Sequence, residues 1–308
     1  MKKTRSDKIE YLDGAIIQHG TVNRRIYLMS IGDADPEILV PRLIVLANKR
    51  SYSKIFAKIP FSKTLPFVSA GFQVEAEVPA FYQGNEAAEF MGYYSENQRQ
   101  QEPDSEELDN IVRLSKWRGK REQNKPLPRE FKIRRCDPDD IQKMIKIYRL
   151  VFPTYPFPIH DPEYLHYTMK NNVDYYGLII SGQFLALASA EKDQKSKTVE
   201  MTDFATHPEW LGLNFSNHLL KRMEQTVNTE GFQTAYTIAR AKSPGMNIVF
   251  AKNDYIYAGR LINNTNISGQ IESMNVWYKT LKERSSSPPE SSLFPKFCGI
   301  LKKSSSKR

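Results

Sequence analysis

Cysteine is almost absent. The two present, Cys136 and Cys298, are too few and too far apart in sequence for a disulfide framework or a thiolate metal site. Histidine is scarce too: of five, His160 and His166 stand near Asp161 and Glu163, but in a proline-broken stretch that matches no ligand spacing, so no metal is expected. Long apolar runs are also missing. The longest aliphatic run, Leu43 to Ala47, is far too short to span a bilayer, and the charged start "MKKTRSDKIEYLDG" has no apolar stretch behind it. No membrane partner is therefore expected, and the chain is placed in the cytoplasm.

What is present describes a soluble globular protein. Hydrophobic residues at 40%, aromatics at 11% and charged residues at 26% suffice to fill cores. The 308 residues suit two domains of ordinary size, at about 150 residues each. The net charge of +9 favours anionic partners. Over Lys282–Arg308, however, seven Lys/Arg face two Glu, so this Ser- and Pro-rich tail alone carries +5. The tail, 283–308, reads as disordered and solvated. The remainder is only mildly basic, so no nucleic-acid partner is expected.

A polar, charge-dense segment, 96–129, separates two regions rich in apolar runs. Within it Leu108, Ile111 and Val112 fall at helical spacing after an acidic start, which predicts a connector helix with flexible ends. In the later region, 130–282, "FKIRRC" reads as a strand, and Ile141, Met144, Ile145, Tyr148 and Phe152 share one face of a helix. A proline-broken loop, a short helix and a hairpin turning at Ser181-Gly182 follow. The strand "TVEMTDFAT" leads to a helix whose stripe is Phe215, Leu219, Leu220, Met223 and Val227. The full order is β, α, α, β, β, β, α, β, α, β, β, a mixed α/β layer fold. The earlier region, 1–95, echoes its second half: strand "RRIYLMSIG", helix "PEILVPRLIVLAN", strand "SKIFAKIP", short helix "SKTLPFVSA", and two strands. A smaller α/β domain that is a degenerate half-repeat is expected; two unrelated α/β units is the alternative.

The stretch "MTDFATHPEWLGLNFSNHLLKRME", from Met201, reads as a strand running through a tight turn into a helix. That geometry points backbone N–H groups at an anion. Loops of this kind usually hold several glycines, and here Gly212 stands alone.

The run Thr206-His207-Pro208-Glu209-Trp210-Leu211-Gly212-Leu213-Asn214-Phe215-Ser216, placed after a strand, resembles the "V-H-P-E-Y-R-G-x-G-x-G" of the GNAT superfamily of acetyl-CoA-dependent N-acetyltransferases. With "EMTDFAT", "TYPFPI" and "MNIVFAKNDY", nearly the whole chain looks like the beta-lysine N-acetyltransferases within it. The resemblance implies a GNAT-type mixed sheet flanked by helices and acetyl-CoA as acyl donor. It further implies acetylation of the terminal amine of beta-lysine to N6-acetyl-beta-lysine, a zwitterionic compatible solute, and a pathway pairing with lysine 2,3-aminomutase. Two other readings stay open: the same chemistry on another small amine or lysine-catabolism intermediate, and a non-catalytic acyl-CoA-binding module.

The departures matter as much as the matches. Leu211, Asn214 and Ser216 replace the arginine and two glycines of the pattern. Asparagine tolerates left-handed backbone and serine is small, so a cradle of N–H groups from Leu211 through Gly212, Leu213, Asn214, Phe215 and Ser216 to Asn217 can survive with altered affinity. Phe204 to Thr206 would offer backbone groups to the acetyl and pantetheine parts, on a strand edge splayed from its neighbour. Asn247 is a further candidate cofactor contact.

Direct attack on the thioester needs a base for an ammonium of pKa about 10, an oxyanion donor, and an acid for the thiolate. By resemblance Glu200 is the candidate base, although charged strand residues are as readily solvated. Strict alternation puts Glu200, Thr202 and Phe204 on one face and Asp203 on the other. The position where the superfamily often has an acidic tyrosine is Phe250, which cannot donate a proton. Tyr255 is the candidate substitute, with Tyr257 or water as alternatives. Tyr155, Phe157, Tyr164 and Tyr167 are candidates for the acceptor slot, with a basic group meeting its carboxylate.

Overall fold

The computed structural model describes residues 7–121 and 126–281; the expected basic tail lies outside them. The chain opens with two strands not anticipated above, β1 (Lys8–Leu12) and β2 (Ala15–Gly20). They form a hairpin at Asp13-Gly14, where both φ angles are positive, +51° and +88°. That is the left-handed pair a two-residue hairpin turn requires, and Asp-Gly was its sequence signal.

Next come β3 (Arg25–Ser30), α1 (Pro36–Lys49), β4 (Lys54–Pro60), α2 (Leu65–Ser69), β5 (Gln73–Tyr82) and β6 (Glu86–Tyr94). The Asp35 side chain accepts from the Glu37 N–H at 3.0 Å and Pro36 fills the first position, so α1 starts well despite Pro41 inside it. Two helices follow, α3 (Asn97–Gln100) and α4 (Ser105–Gly119), then β7 (Lys132–Arg135), α5 (Ile141–Val151) and α6 (Pro162–Asn171). The last part contains β8 (Val173–Ile180), β9 (Gln183–Asp193), β10 (Thr198–Thr206), α7 (Phe215–Thr229), β11 (Thr234–Arg240), α8 (Pro244–Lys252), β12 (Ile256–Ile267) and β13 (Gln270–Thr280). Both apolar stripes are buried: Met144, Ile145, Tyr148 and Phe152 under α5/α6, and Phe215, Leu219, Leu220, Met223 and Val227 on the opposite face under α7. The mixed sheet flanked by helices is the architecture expected.

All strands join one 13-stranded sheet in the order β1-β2-β3-β4-β6-β5-β12-β13-β11-β10-β9-β8-β7. The run β3-α1-β4-α2-β5-β6 has the same element order as β10-α7-β11-α8-β12-β13. The two runs meet back to back at β5 and β12, antiparallel with Gly259 opposite Ala76. At φ +150°, Gly259 lies so close that an added Cβ would sit 2.2 Å from the Glu75 carbonyl oxygen. Glycine is required there on both counts.

Beside this contact β12 slips register between Leu261 and Thr265, which leaves carbonyls without strand partners. Buried cations, two from the first run and one from α3, take three in succession: Lys54 Nζ donates to Ile262 O at 2.7 Å, Arg99 Nε to Asn263 O at 2.7 Å, and Arg25 Nη1 to Asn264 O at 2.5 Å. The seam is thus a polar lock as well as a strand pair. Gly259→Ala is expected to cost about 3 kcal/mol or more, because the clash is with backbone that cannot rotate away. Urea denaturation measures this, and wild-type stability in the variant would mean that the strands do not meet as described.

The helix inside 96–129 is no loose tether. Leu108, Ile111 and Val112 are buried, and α4 lies so near α8 that a Cβ on Gly119 would be 2.7 Å from Ala251 O. Arg260 Nη2 pairs with Asp109 at 2.8 Å and Lys242 with Asp104 at 2.5 Å.

Candidate active site

Three acidic side chains meet where the sheet comes apart. β10 pairs in parallel with β11 only through Thr198, Val199 and Glu200. Past Glu200 the strands part, so the edge of β10 facing β11 carries unpaired backbone groups between Met201 and Thr206. On its other edge β10 follows β9, but the register slips between Thr202 and Ala205, and Asp203 sits at φ +54°. This bulge overrides strict alternation and brings Asp203 into the same cavity as Glu200. Glu191 of β9 is the register partner of Glu200, so it projects from the same face and completes the trio.

The cavity measures about 590 Å³ and takes its walls from both runs of the chain. Tyr27, Phe56, Lys58 and Arg25 come from β3 and β4. Lys58 Nζ donates to Tyr236 OH at 2.9 Å and lies over the Tyr236 ring, 5.2 Å from its centre. Tyr236 is itself opposite Glu200 on β11.

Burial, and next the charge of Glu191, push the Glu200 carboxyl up to about 7, against the pull of Lys58 and of a hydrogen bond with Tyr236. Burial raises Glu191 as well, with Lys58 again opposing. Asp203 is raised by burial even though Ser189 Oγ donates to it at 2.5 Å and Tyr155 OH also donates. Lys58 opposes the rise of Glu200 and Glu191, while Asp203 is held by two hydroxyl donors and no cation. Such a site holds protons near neutrality and attracts cations such as an ammonium.

At the same end of β10 the chain enters a short 3-10 turn, Pro208–Trp210, and then α7. Trp210 stacks on Phe215, 6.3 Å between ring centres, which fixes the turn against the helix. Gly212 has φ +82° with open space around it, so backbone conformation and not room demands glycine. Asn214 takes the left-handed conformation, φ 66° and ψ 18°, as the residue before the helix. Two N–H groups of the expected cradle are used internally, Leu211 to Pro208 O at 3.4 Å and Asn217 to Asn214 O at 3.2 Å. Among the described residues those of Gly212, Leu213, Phe215 and Ser216 have no protein acceptor, and the first turn of α7 contains no acidic side chain. An anionic group fits there.

Other candidates fall differently. Phe204 lines the cavity and meets Phe250 edge to face at 5.6 Å, so both are apolar wall. Thr206 ends β10 opposite Ala186 and is not part of the cavity lining. Asn247 neither faces solvent nor offers a cofactor contact: fully buried, it accepts from Asn275 Nδ2 at 2.8 Å and Trp277 Nε1 at 2.9 Å and donates to Arg240 O and Ser243 O. It pins α8 to the sheet. Tyr255 packs against Phe250 outside the cavity lining, with its hydroxyl raised far by burial and the Glu224 carboxylate, so it is not brought to Glu200. Tyr257 meets Trp277 edge to face, also away from the cavity. Tyr155, Phe157 and Tyr164 line the cavity, whereas Tyr167 is 66% exposed on an outer depression.

Glu191, Lys58, Tyr236 and Arg25 were not anticipated. Lys54 and Lys58 inside the apolar run "KIFAKIP" were the available signal for the last wall, since a lysine on a buried strand needs a partner. Among the described residues no helix is long and apolar enough to cross a membrane, and no group of three His, Cys, Asp or Glu could hold a metal ion.

No protein-family model matches the chain. It is 38% identical over 273 residues to the beta-lysine N(6)-acetyltransferase of Methanococcus maripaludis, covering 89% of this chain and 98% of that protein. To the N-acetyltransferase YodP of Bacillus subtilis it is 31% identical over 267 residues, 87% of this chain and 96% of the relative. The ribosomal-protein-S18-alanine N-acetyltransferase structure from Escherichia coli aligns with 51% of this chain and 97% of its own at 12% identity and a TM-score of 0.45. The protein is thus an N-acetyltransferase. More narrowly, the chain belongs to the beta-lysine N(6)-acetyltransferase family.

Proposed function

We propose that the protein transfers the acetyl group of acetyl-CoA to the terminal amine of beta-lysine, giving N6-acetyl-beta-lysine and CoA. The observation that carries this is the meeting of a raised, half-buried Glu200 with the parting of β10 from β11 in one cavity. Glu200 takes a proton from the bound ammonium, and the freed amine attacks the thioester carbonyl. The unpaired backbone edge of β10 supplies a donor for the oxyanion. As the C–S bond breaks, the nitrogen gives up its second proton to water and the thiolate takes one from water: Phe250 and Phe204 offer none, and a thiol of pKa about 8.5 leaves readily.

The free N–H groups ahead of α7 would hold the pyrophosphate. The matching turn of the first run cannot, because Asp35 caps α1 and Glu37 follows, placing two carboxylates where an anion would bind. Residues 1–95 are then a degenerate half-repeat that has lost its donor site and kept its wall, and each chain has one acetyl-CoA site. A lysine 2,3-aminomutase is the matching source of beta-lysine, and the zwitterionic product suits a compatible solute made in the cytoplasm.

A thiol-release assay with purified protein, acetyl-CoA and a panel of beta-lysine, lysine and polyamines tests the proposal. Preference for beta-lysine supports it, and CoA binding without turnover of any amine would sink it. In the cradle, Leu211 is 66% exposed beside the free N–H groups. Leu211→Arg is expected to lower the Michaelis constant for acetyl-CoA about threefold to tenfold, most at low salt. Asn214→Gly should change it little, because Asn214 already has the required backbone conformation. The reverse ranking would place the missing affinity in the backbone.

A further inference from the structure

We propose that Arg25 is the anchor for a carboxylate on the acceptor, and so selects amino acids over simple diamines. The inference rests on the acetyl-transfer reading and names the feature of the acceptor that the cavity reads. Arg25 is 4% exposed and forms part of the cavity wall. Its Nη1 is committed to the seam, donating to Asn264 O at 2.5 Å and to Thr265 Oγ1 at 3.0 Å. The opposite edge is different. Nε is buried with no hydrogen-bond partner, and Nη2 has no acceptor among the described residues.

Nε–H and Nη2–H together form the edge of a guanidinium that takes a carboxylate through two parallel hydrogen bonds. Among the described residues Arg25 forms no ion pair, in contrast to Lys54, which has Glu75 at 2.8 Å. Burial lowers Arg25 to about 10, outweighing the charges of Asp7 and Glu75, which favour the guanidinium without pairing with it; an enclosed cation with no paired carboxylate is costly. At the same seam Arg99 has all three nitrogens engaged, Nε on Asn263 O, Nη1 on Ser53 Oγ and Nη2 on Asn23 O.

The rest of the cavity gives the inference its direction. Arg25 lies over Tyr27, with Cζ 5.4 Å from the ring centre, and the Tyr27 hydroxyl feels the charges of Lys58, Glu200 and Glu191. The cavity wall therefore carries acids around the base and, among its cations, one buried arginine edge left unengaged: Lys58 is bonded to Tyr236, Arg240 is paired with Glu272, Lys192 is paired with Asp174, and Lys195 is exposed. That polarity suits a chain with an ammonium at one end and a carboxylate toward the other. A diamine without the carboxylate leaves the cation unpaired.

The test uses steady-state kinetics on matched pairs: beta-lysine with 1,4-diaminopentane, which is beta-lysine without its carboxylate, and lysine with 1,5-diaminopentane. For the wild-type protein, loss of the carboxylate should lower kcat/KM about 100-fold, mainly through KM, as expected for a buried charge-assisted pair. Arg25→Gln should raise KM for the carboxylate-bearing partner by a similar factor while leaving KM for the diamine and for acetyl-CoA within about twofold. Arg25→Lys, which keeps the charge and loses the fork, should fall between.

Because Arg25 also braces the seam, the wild-type comparison stands by itself if a variant fails to fold. Equal use of both members of each pair by the wild-type protein overturns the proposal, as does a variant that raises both KM values together. If another carboxylate-bearing amine proves the better substrate, the beta-lysine assignment fails and the anchor survives. If nothing turns over, calorimetric binding of the same pairs decides: carboxylate-dependent binding that Arg25→Gln abolishes supports the anchor, and indifference to the carboxylate or no binding refutes it.

Discussion

Glu200→Gln is expected to reduce kcat about 10²–10⁴-fold, the contribution typical of a positioned base. The wild-type profile of kcat/KM should rise with pH through an apparent value near 7, where burial and Glu191 hold this carboxyl. In the glutamine variant that limb disappears, leaving only the rise set by the acceptor's own ammonium. Raising the pH does not restore the variant below the ammonium pKa, because no base is left to remake. A profile whose limb survives the substitution would take Glu200 out of the mechanism.

The same substitution has a second readout. A carboxyl raised above its ordinary value favours the folded state while protonated, and that contribution is lost as pH rises from the ordinary range through about 7. Above that, Glu200 opposes folding. The glutamine variant should match the wild type in acid and exceed it by about 1–3 kcal/mol above pH 8, so loss of activity comes with a gain in melting temperature.

Lys58→Met is the second large effect, and it tests whether the first run of the chain belongs to the site. Lys58 is the cation that restrains both Glu200 and Glu191. Without it both carboxyls rise further, and the acid limb should move from about 7 to roughly 8–9. Activity at neutral pH then falls about tenfold or more and returns in alkali, unlike that of the glutamine variant. An unmoved limb would show that Lys58 does not act on the base.

The proposed acyl-donor side was largely legible in the sequence because it is local. Strand, turn and helix are contiguous from Met201 to Glu224, Gly212 and Asn214 carry the two left-handed conformations, and the α7 stripe follows a period that needs no partner to be read. Asp203 escaped because a single inserted residue in β10 reverses which face a side chain takes, and alternation assumes that none is inserted. The hairpin before β3 carried its own Asp-Gly signal and was overlooked.

The acceptor side depends on pairings between distant segments. The sequence by itself determined the mixed α/β layers, the buried stripes, the left-handed turn into α7 and Glu200 on a strand, all of which follow from residues a few positions apart. Only the tertiary structure decided that Glu191 stands opposite Glu200, that Asn247 and Tyr255 pack away from the cavity, and that Lys58 and Arg25 form a wall of it. The physical reason is the junction of β5 with β12, where Gly259 permits backbone contact and three buried cations take three consecutive carbonyls. Local propensity carries no trace of such a junction, since it exists only once both runs have folded against each other.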